Sequence, residues 1–593
     1  MSIDPVTLAV IANRLDGIVR EMSNTLLRSG RSTVLTIARD FSCAIVTSEH
    51  DLLASAEGLP VHICGAAYQA QAMADAHPDF AEGDAFLHND PYTGNTHAAD
   101  HMILVPVYVD GEHLFTACAK AHQADAGNGV ATTYAPFARD VYEEGALVFP
   151  AVRVQQDRRD VDDIIRMCRS RIRVPDQWYG DYLAMVGAAR IGERGLIELT
   201  RRYGVDTIRE FVREWLDYSE RRMERAIRDL RPARFRARVH HDPIAPPIPD
   251  GIPIDVEVEV LPDAGRVCVD LRDNVDCVPA GLNLSMVCSI NHALTGVFNC
   301  LDPTIPHNAG SFRRVEVLLR ENCVVGIPRF PASCSLATTN VGDRLVSVVQ
   351  CAFAGEYPDH GLAEGAGGLL PGFGVISGSD RRRGGERFIN QVFLGSQGGP
   401  ATPTGDGWLV FSNPAAAGLL YRDSVEIDEL RYPIRIHEIR IACDSGGAGR
   451  FRGAPGADVV FGPVDEPLTV LYTTDHHEHP PIGVRGGHPA RSTSVAVVEA
   501  DSSRSEAPLV GALTLQPGQA VYSGQTGGGG WGDPMTRDPE RVLRDVLARW
   551  VSREAAASVY GVAVVEDDSA DGLAIDHAGV ERLRRGAASG VPA

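Results

Sequence analysis

Lysine is almost missing. The 593-residue chain carries one, Lys120, so nearly all of its positive charge is arginine. A triphosphate-gripping P-loop needs Gly-Lys-Ser/Thr, and Lys120 sits in Ala119-Lys120-Ala121, which excludes that loop. A Schiff-base lysine could only be Lys120. Cationic side chains are outnumbered as well, 56 against 78 acidic ones, for a formal charge of −22. Proteins that bind phosphate backbones generally need clustered positive charge, and this chain lacks it. No apolar run approaches the ~18 residues of a membrane-spanning helix. The opening Met1-Ser2-Ile3-Asp4-Pro5 lacks the basic-then-apolar order of a secretory signal. The 12 cysteines are scattered, with no C-x-x-C pair, and read as small buried hydrophobes rather than a disulfide framework. Together these absences predict a soluble cytoplasmic protein.

What is present suits a large globular chain: 44% hydrophobic and 23% charged residues, enough for about four domains at ~150 residues each. A helix is expected from Pro5, capped by Asp4, with Leu8, Ile11, Leu15, Ile18, Val19, Met22 and Leu26 on one face. Residues 34–64 read as a hairpin built on Ala44–Thr47 and Asp51–Leu53. The stretch from about Arg159 to Leu230 is helical and arginine-rich. A proline-rich break follows at 243–249, and Ile254–Val260 alternates strictly, as a half-buried strand does. Strands and glycine loops continue to about Tyr522, then helix returns at Pro539–Ala556, with a polar tail from Asp567. The fold class is α+β and multi-domain, with a mixed N-terminal α/β region, a helical middle and a strand- and glycine-rich C-terminal region. The expected divisions are 1–158, 159–240, 241–535 and 536–593.

The densest polar cluster runs from His88 to His101 and leads into an apolar strand, Met102–Tyr108. A second strand, Leu114–Ala119, ends in Lys120-Ala121-His122-Gln123-Ala124-Asp125. Asp110-Gly111 between the strands is a strong hairpin signal. Antiparallel pairing would bring His97 and Asp100 beside His122 and Asp125 at one end. Mixed imidazole and carboxylate ligands suit a divalent cation such as Zn²⁺, Mn²⁺ or Fe²⁺. Two glycine- or histidine-rich stretches read differently. Gly527–Gly532 matches G-x-G-x-x-G but runs into Asp533-Pro534, so a tight structural loop is expected rather than a dinucleotide site. Asp475-His476-His477-Glu478-His479 is expected to be a surface loop.

Several of these stretches resemble the hydantoinase B/oxoprolinase family: Arg39-Asp40-Phe41-Ser42-Cys43, Pro60-Val61-His62, Asn89-Asp90-Pro91-Tyr92, Thr96-His97-x-x-Asp100, His122-x-x-Asp125, Asp302–Phe312, Asp444–Arg450 and Gly527–Pro534. The likeness covers nearly the whole chain in order. That family includes B subunits of ATP-dependent hydantoinases, the corresponding part of 5-oxoprolinase, and subunits of acetone and acetophenone carboxylases. The resemblance implies a divalent metal held by Asp40, His97 and His122, with Asp90, His62 and His101 lining the site. It implies Asp125 or Asp100 as general base and Lys120 as the group that steadies developing negative charge. It also implies a hydantoinase A-type partner subunit that binds ATP. The expected activity is opening of a phosphate-activated cyclic amide by metal-activated water; ketone carboxylation is the alternative. Two positions depart from the family pattern: Gln123 stands where a second histidine is frequent, and Asn128 where a second glycine is.

Overall fold

A computed structural model of the chain describes residues 3–56, 58–567 and 572–589. Met1 and Ser2, and parts of the polar tail predicted from Asp567, fall outside the described residues. The first helix, α1 (Pro5–Ser29), starts where the sequence indicates: Asp4 Oδ1 accepts from the amides of Val6 and Thr7 at 3.1 and 3.0 Å. Its buried stripe, Ile11, Leu15, Val19, Met22 and Leu26, packs on a seven-stranded sheet and on a long helix, Pro175–Tyr203.

That sheet positions the site. Its strands are β1 (Phe41–Thr47), β2 (Leu52–Ser55), β3 (Ala85–His88), β4 (Asp100–Val109), β5 (Glu112–His122), β6 (Val152–Gln156) and β7 (Arg159–Asp160), ordered β2-β1-β5-β4-β3-β6-β7. All neighbours are antiparallel. The β4–β5 hairpin forms as expected, turning at Asp110 (φ 53°) and Gly111 (φ 85°), the positive values a two-residue type I′ turn requires. Both faces are covered, which is why β4 is apolar almost throughout instead of alternating. Ile103, Val105, Ala117, Ala119 and Ala121 face α1 and the long helix. Ala44, Val46, Met102, Leu104 and Cys118 face the helix Gly65–Ala76. Strand periodicity therefore puts Asp100, Lys120 and His122 on this second face and His101 on the first.

The helical middle is present as Asp162–Arg171, Pro175–Tyr203 and Val205–Arg228. The next strand, β8 (Ala233–His241), pairs antiparallel with β9 (Ile252–Leu261), whose residues alternate between buried and half-buried. The proline-rich stretch thus links neighbouring strands of one sheet, and the division expected at 240 runs through that sheet. Two more strands, β10 (Arg266–Asp270) and β11 (Val315–Leu318), complete it in the order β11-β10-β9-β8. Two buried helices, Met286–Phe298 and Val341–Glu356, pack on each other, and the second also lies against β8 and β9.

Beyond Pro371 a four-stranded and a five-stranded sheet share a core that includes Ile376, Val470, Val459, Phe461 and Val521. The glycine loops meet beside it. Gly447 N donates to Gly528 O at 2.8 Å, Gly453 N to Gly447 O at 2.9 Å and Gly530 N to His488 O at 3.1 Å. This is the tight backbone packing read from Gly527–Gly532. The 475–479 stretch differs from expectation. Asp475 and His476 are fully buried, because Asp475 receives Arg344 Nε and Nη2 at 2.8 and 2.9 Å. His477 and Glu478 are exposed and His479 is half-buried. No helix among the described residues is long and apolar enough to cross a membrane.

Candidate functional site

Three strand ends converge. Asp40 immediately precedes β1, Asp100 opens β4 and His122 closes β5; Asp100 pairs with His122 in register, and His122 N donates to Asp40 O at 3.1 Å. The loop before β4 is tied down by buried amides. Asn89 Nδ2 donates to Ala98 O and Leu147 O, and Asn95 Nδ2 to the carbonyls of Asn89, His97 and Asp100. This holds His97 over the strand end.

Asp100 is the hub. His97 Nε2 lies 3.0 Å and His122 Nδ1 2.9 Å from the same oxygen, Oδ1. His62, from the short helix Pro60–Ile63, sets Nε2 3.2 Å from Oδ2, which also accepts from the Thr96 hydroxyl. His97, Asp100 and His122 are fully or almost fully buried, and each offers a ligand atom within 4.8 Å of the other two. Burial alone would raise the Asp100 carboxyl, but His97, His62 and His122 hold it well below the ordinary carboxylate range. Burial pushes the His62 and His122 rings down; burial acts the same way on His97, yet Asp100 carries that ring above its ordinary value.

The tautomer of His97 tests whether a cation fits. Its Nδ1 must donate, because its partner at 2.8 Å is the Ser335 carbonyl oxygen. The neutral ring therefore turns the lone pair of Nε2 toward the Asp100 carboxylate, and that contact is favourable only with a proton or a metal ion between them. A ring oriented by a backbone carbonyl behind it is the usual arrangement of a metal-binding histidine. The residues fit a divalent ion.

The other predicted site residues are distributed unevenly. Asp40 shares the cavity but not the three-donor group: its Oδ1 lies 3.7 Å from His62 Nε2, and burial, reinforced by Asp100, raises its carboxyl well above the ordinary range. The resemblance gives a ligand place to Asp40, whereas the three donors that lie within 4.8 Å of one another are His97, Asp100 and His122. Lys120 is fully buried on the same sheet face, but its Nζ donates to Asn95 Oδ1 at 2.8 Å, and burial lowers it to about 8. Asp125 is turned into a clamp, accepting from Arg173 Nη1 at 2.9 Å, from the Arg173 amide and from Gly127 N. Asp90 is spent on its own turn, accepting from Tyr92 N and the Thr93 hydroxyl. His101 lies on the opposite sheet face against Trp178, where burial lowers it to about 3.

Sequence reasoning missed the far wall. The cavity at the donor group, about 30 Å³, is closed by Tyr134, Thr339, Gly368, Gln391, Gln397 and Asn413, among others. Tyr134 stacks on His122 with ring centroids 5.4 Å apart. Three wall segments are fastened by one carboxylate. Asp343 accepts from Asn340 N, Gly368 N and Ala415 N at 3.1, 3.1 and 3.0 Å. Burial pushes this carboxyl up to about 7 from an ordinary 3.8, with Asp475 adding to the rise. Between pH 4 and 7 the folded chain holds a proton here that the unfolded chain has released, so this group makes stability fall as pH rises through that window. Relative to Asp343→Asn, the wild type is expected to lose a few kcal/mol between pH 4.5 and 7.5, at about 1.4 kcal/mol per pH unit. Urea unfolding of both proteins at the two pH values checks this; parallel curves would refute it.

The model of the family described as hydantoinase B/oxoprolinase matches residues 4–534. The chain belongs to that family. Caprolactamase subunit beta of Pseudomonas jessenii is 29% identical over 569 residues, covering 95% of this chain and 97% of that one. The crystal structure of ATP-dependent caprolactamase from the same organism superposes with a TM-score of 0.87 at 27% identity, over 99% of this chain and 100% of that one. Nucleotide-free acetone carboxylase also superposes at 0.87, over 99% of this chain and 83% of that one; at 18% identity it shares the fold.

Proposed function

We propose that this hydantoinase B/oxoprolinase family member is the metal-bearing subunit of an ATP-dependent cyclic amide hydrolase. The carrying observation is the convergence of His97 and His122 on one carboxylate oxygen of Asp100, beside a cavity walled by amide and hydroxyl side chains. His97, Asp100 and His122 would hold the ion, which supplies a Lewis acid that polarises an oxygen and eases deprotonation of water. The remaining work falls to the chain. The Ser335 carbonyl keeps the His97 Nε2 lone pair facing inward. Asp40 and His62 face the cavity together and handle the proton of the attacking water, the role that the Arg173 clamp denies to Asp125. Lys120, one hydrogen bond behind the site through Asn95, offsets the buried carboxylate charge without touching substrate. Buried aromatic and aliphatic neighbours, Leu59, Phe373 and Phe393, exclude bulk water.

ATP would be used by a hydantoinase A-type partner, since this chain has no Gly-Lys-Ser/Thr loop. A caprolactamase subunit is matched over 97% of its length, which favours hydrolysis over carboxylation. The test is the chain purified with its partner, given ATP and a panel of lactams, hydantoins and 5-oxoproline. ATP-dependent ring opening that is lost on chelation and restored by one divalent ion is the expected result. Opening that survives complete metal removal, or bicarbonate-dependent consumption of ketones with no ring opening, would overturn the reading.

A further inference from the structure

The cavity at the donor group, about 30 Å³, has the volume of a single water molecule, so it holds the attacking water but no ring. A second cavity of about 530 Å³ lies behind its wall, inside the size range of small-molecule sites. The two share a partition one chain thick. Along the short helix Pro60–Ile63 and its flanks, Leu59, Val61 and His62 line the small cavity, whereas Pro60, Ile63 and Cys64 line the large one. The turn after Pro414 divides in the same way: Ala416 and Leu420 face the donor-group cavity, Ala417 and Leu419 the large chamber.

The chamber suits an apolar body. Leu15, Leu53, Leu294 and Phe298 are buried in its lining, while Asp16, His307 and Leu419 in the same lining are exposed, so it opens to solvent. Asn291 ties the chamber to the partition, its Nδ2 donating to Val61 O at 2.7 Å. The helical part of the partition is therefore anchored, and the turn is the part that can yield. The amides of Ala417, Gly418 and Leu419 bond only within the turn, to Pro414 O, Asn413 O and Ala416 O. The next amide bonded outside it is Tyr421 N, which donates to Ala38 O at 3.1 Å.

We propose that this chamber binds the substrate ring, that the substrates are cyclic amides bearing an apolar substituent, and that only the reacting carbonyl passes the partition to the His97–Asp100–His122 group. This rests on the hydrolase reading above and names a substrate class for it. An unsubstituted lactam of a few carbons leaves most of 530 Å³ unfilled. Each methylene moved from water into an apolar lining is worth roughly fourfold in affinity. An apolar side group is therefore what the chamber can recognise.

The experiment measures kcat/KM for an unsubstituted lactam and its ring-carbon butyl derivative, using the complex with the ATP-binding partner. Wild type should favour the butyl derivative at least about tenfold. Ser55→Phe, at the end of β2, and Thr295→Met, on the helix Met286–Phe298, add bulk to the chamber at positions that do not line the donor-group cavity. Each should cut the preference to within about threefold, chiefly by raising KM for the butyl derivative, with metal content unchanged. The two positions lie on different elements, so one carries the test should the other variant fail to fold. A preference set by the partner's own pocket would survive both substitutions. Its survival in the folded variants, or a wild type that does not favour the butyl derivative, would overturn the proposal and leave the hydrolase reading standing. Failure of the wild-type complex to open any cyclic amide would sink that reading, and this inference with it.

Discussion

His97→Ala is expected to abolish ring opening while the chain still folds. The substitution removes one of three donors and leaves the Ser335 carbonyl without its hydrogen-bond partner. A bound divalent ion supplies several kcal/mol of charge stabilisation to the reaction, and loss of about 4 kcal/mol corresponds to a ~10³-fold fall in rate. Metal content, turnover and far-UV circular dichroism should separate: the first two collapse and the third stays. Paired carboxylate variants sharpen the test. Asp100→Asn should release the ion as His97→Ala does, whereas Asp40→Asn should retain it and lose activity only, because Asp40 stands outside the three-donor group. Retention of a full complement of metal in both His97→Ala and Asp100→Asn would refute the assignment.

The second large effect lies far from the histidines. A Cβ added at Gly453 would stand 1.8 Å from Gly528 O and 2.4 Å from Gly528 C. Both are backbone atoms, and Gly528 is itself held by its amide's bond to Ala454 O. Neither strand of the loop can yield as a flexible side chain would. Gly453→Ala should therefore destabilise this region by more than about 4 kcal/mol, the range reserved for severe steric or polar damage. At roughly 2–4 °C per kcal/mol for a domain of 150–250 residues, the melting transition should fall by ~10 °C or more. Activity should suffer as well, because Gly529 N donates to Glu364 O, and Glu364 anchors the buried Arg344. A melting curve within 2 °C of wild type, by differential scanning calorimetry, would show that the loops can part.

The difference in how easily the two halves of the site could be read has a physical origin. His97, Asp100 and His122 lie on or beside one hairpin, so an Asp-Gly turn, two apolar strands and two-residue periodicity are enough to bring them together. The same periodicity separates His101 from Asp100, a consequence the dense polar run His88–His101 conceals. Asp40 and Asp100 could not be ranked as ligands from sequence, since both stand at strand ends flanking His122 on β5. Asp125 misled because i, i+3 spacing from His122 implies proximity, whereas Arg173, 48 residues on, claims both its oxygens. The far wall was illegible for another reason: Thr339, Gly368 and Asn413 come from irregular loops that carry no period, and only long-range packing assembles them with Gln391 at a strand end.

The solitary Lys120 has a practical corollary. Being wholly enclosed, it leaves the folded chain without any solvent-facing ε-amino group. Amine-directed probes and bridging reagents will therefore find no side-chain target on this subunit in its native state, and any mark they leave at Lys120 reports that the β4–β5 sheet has opened.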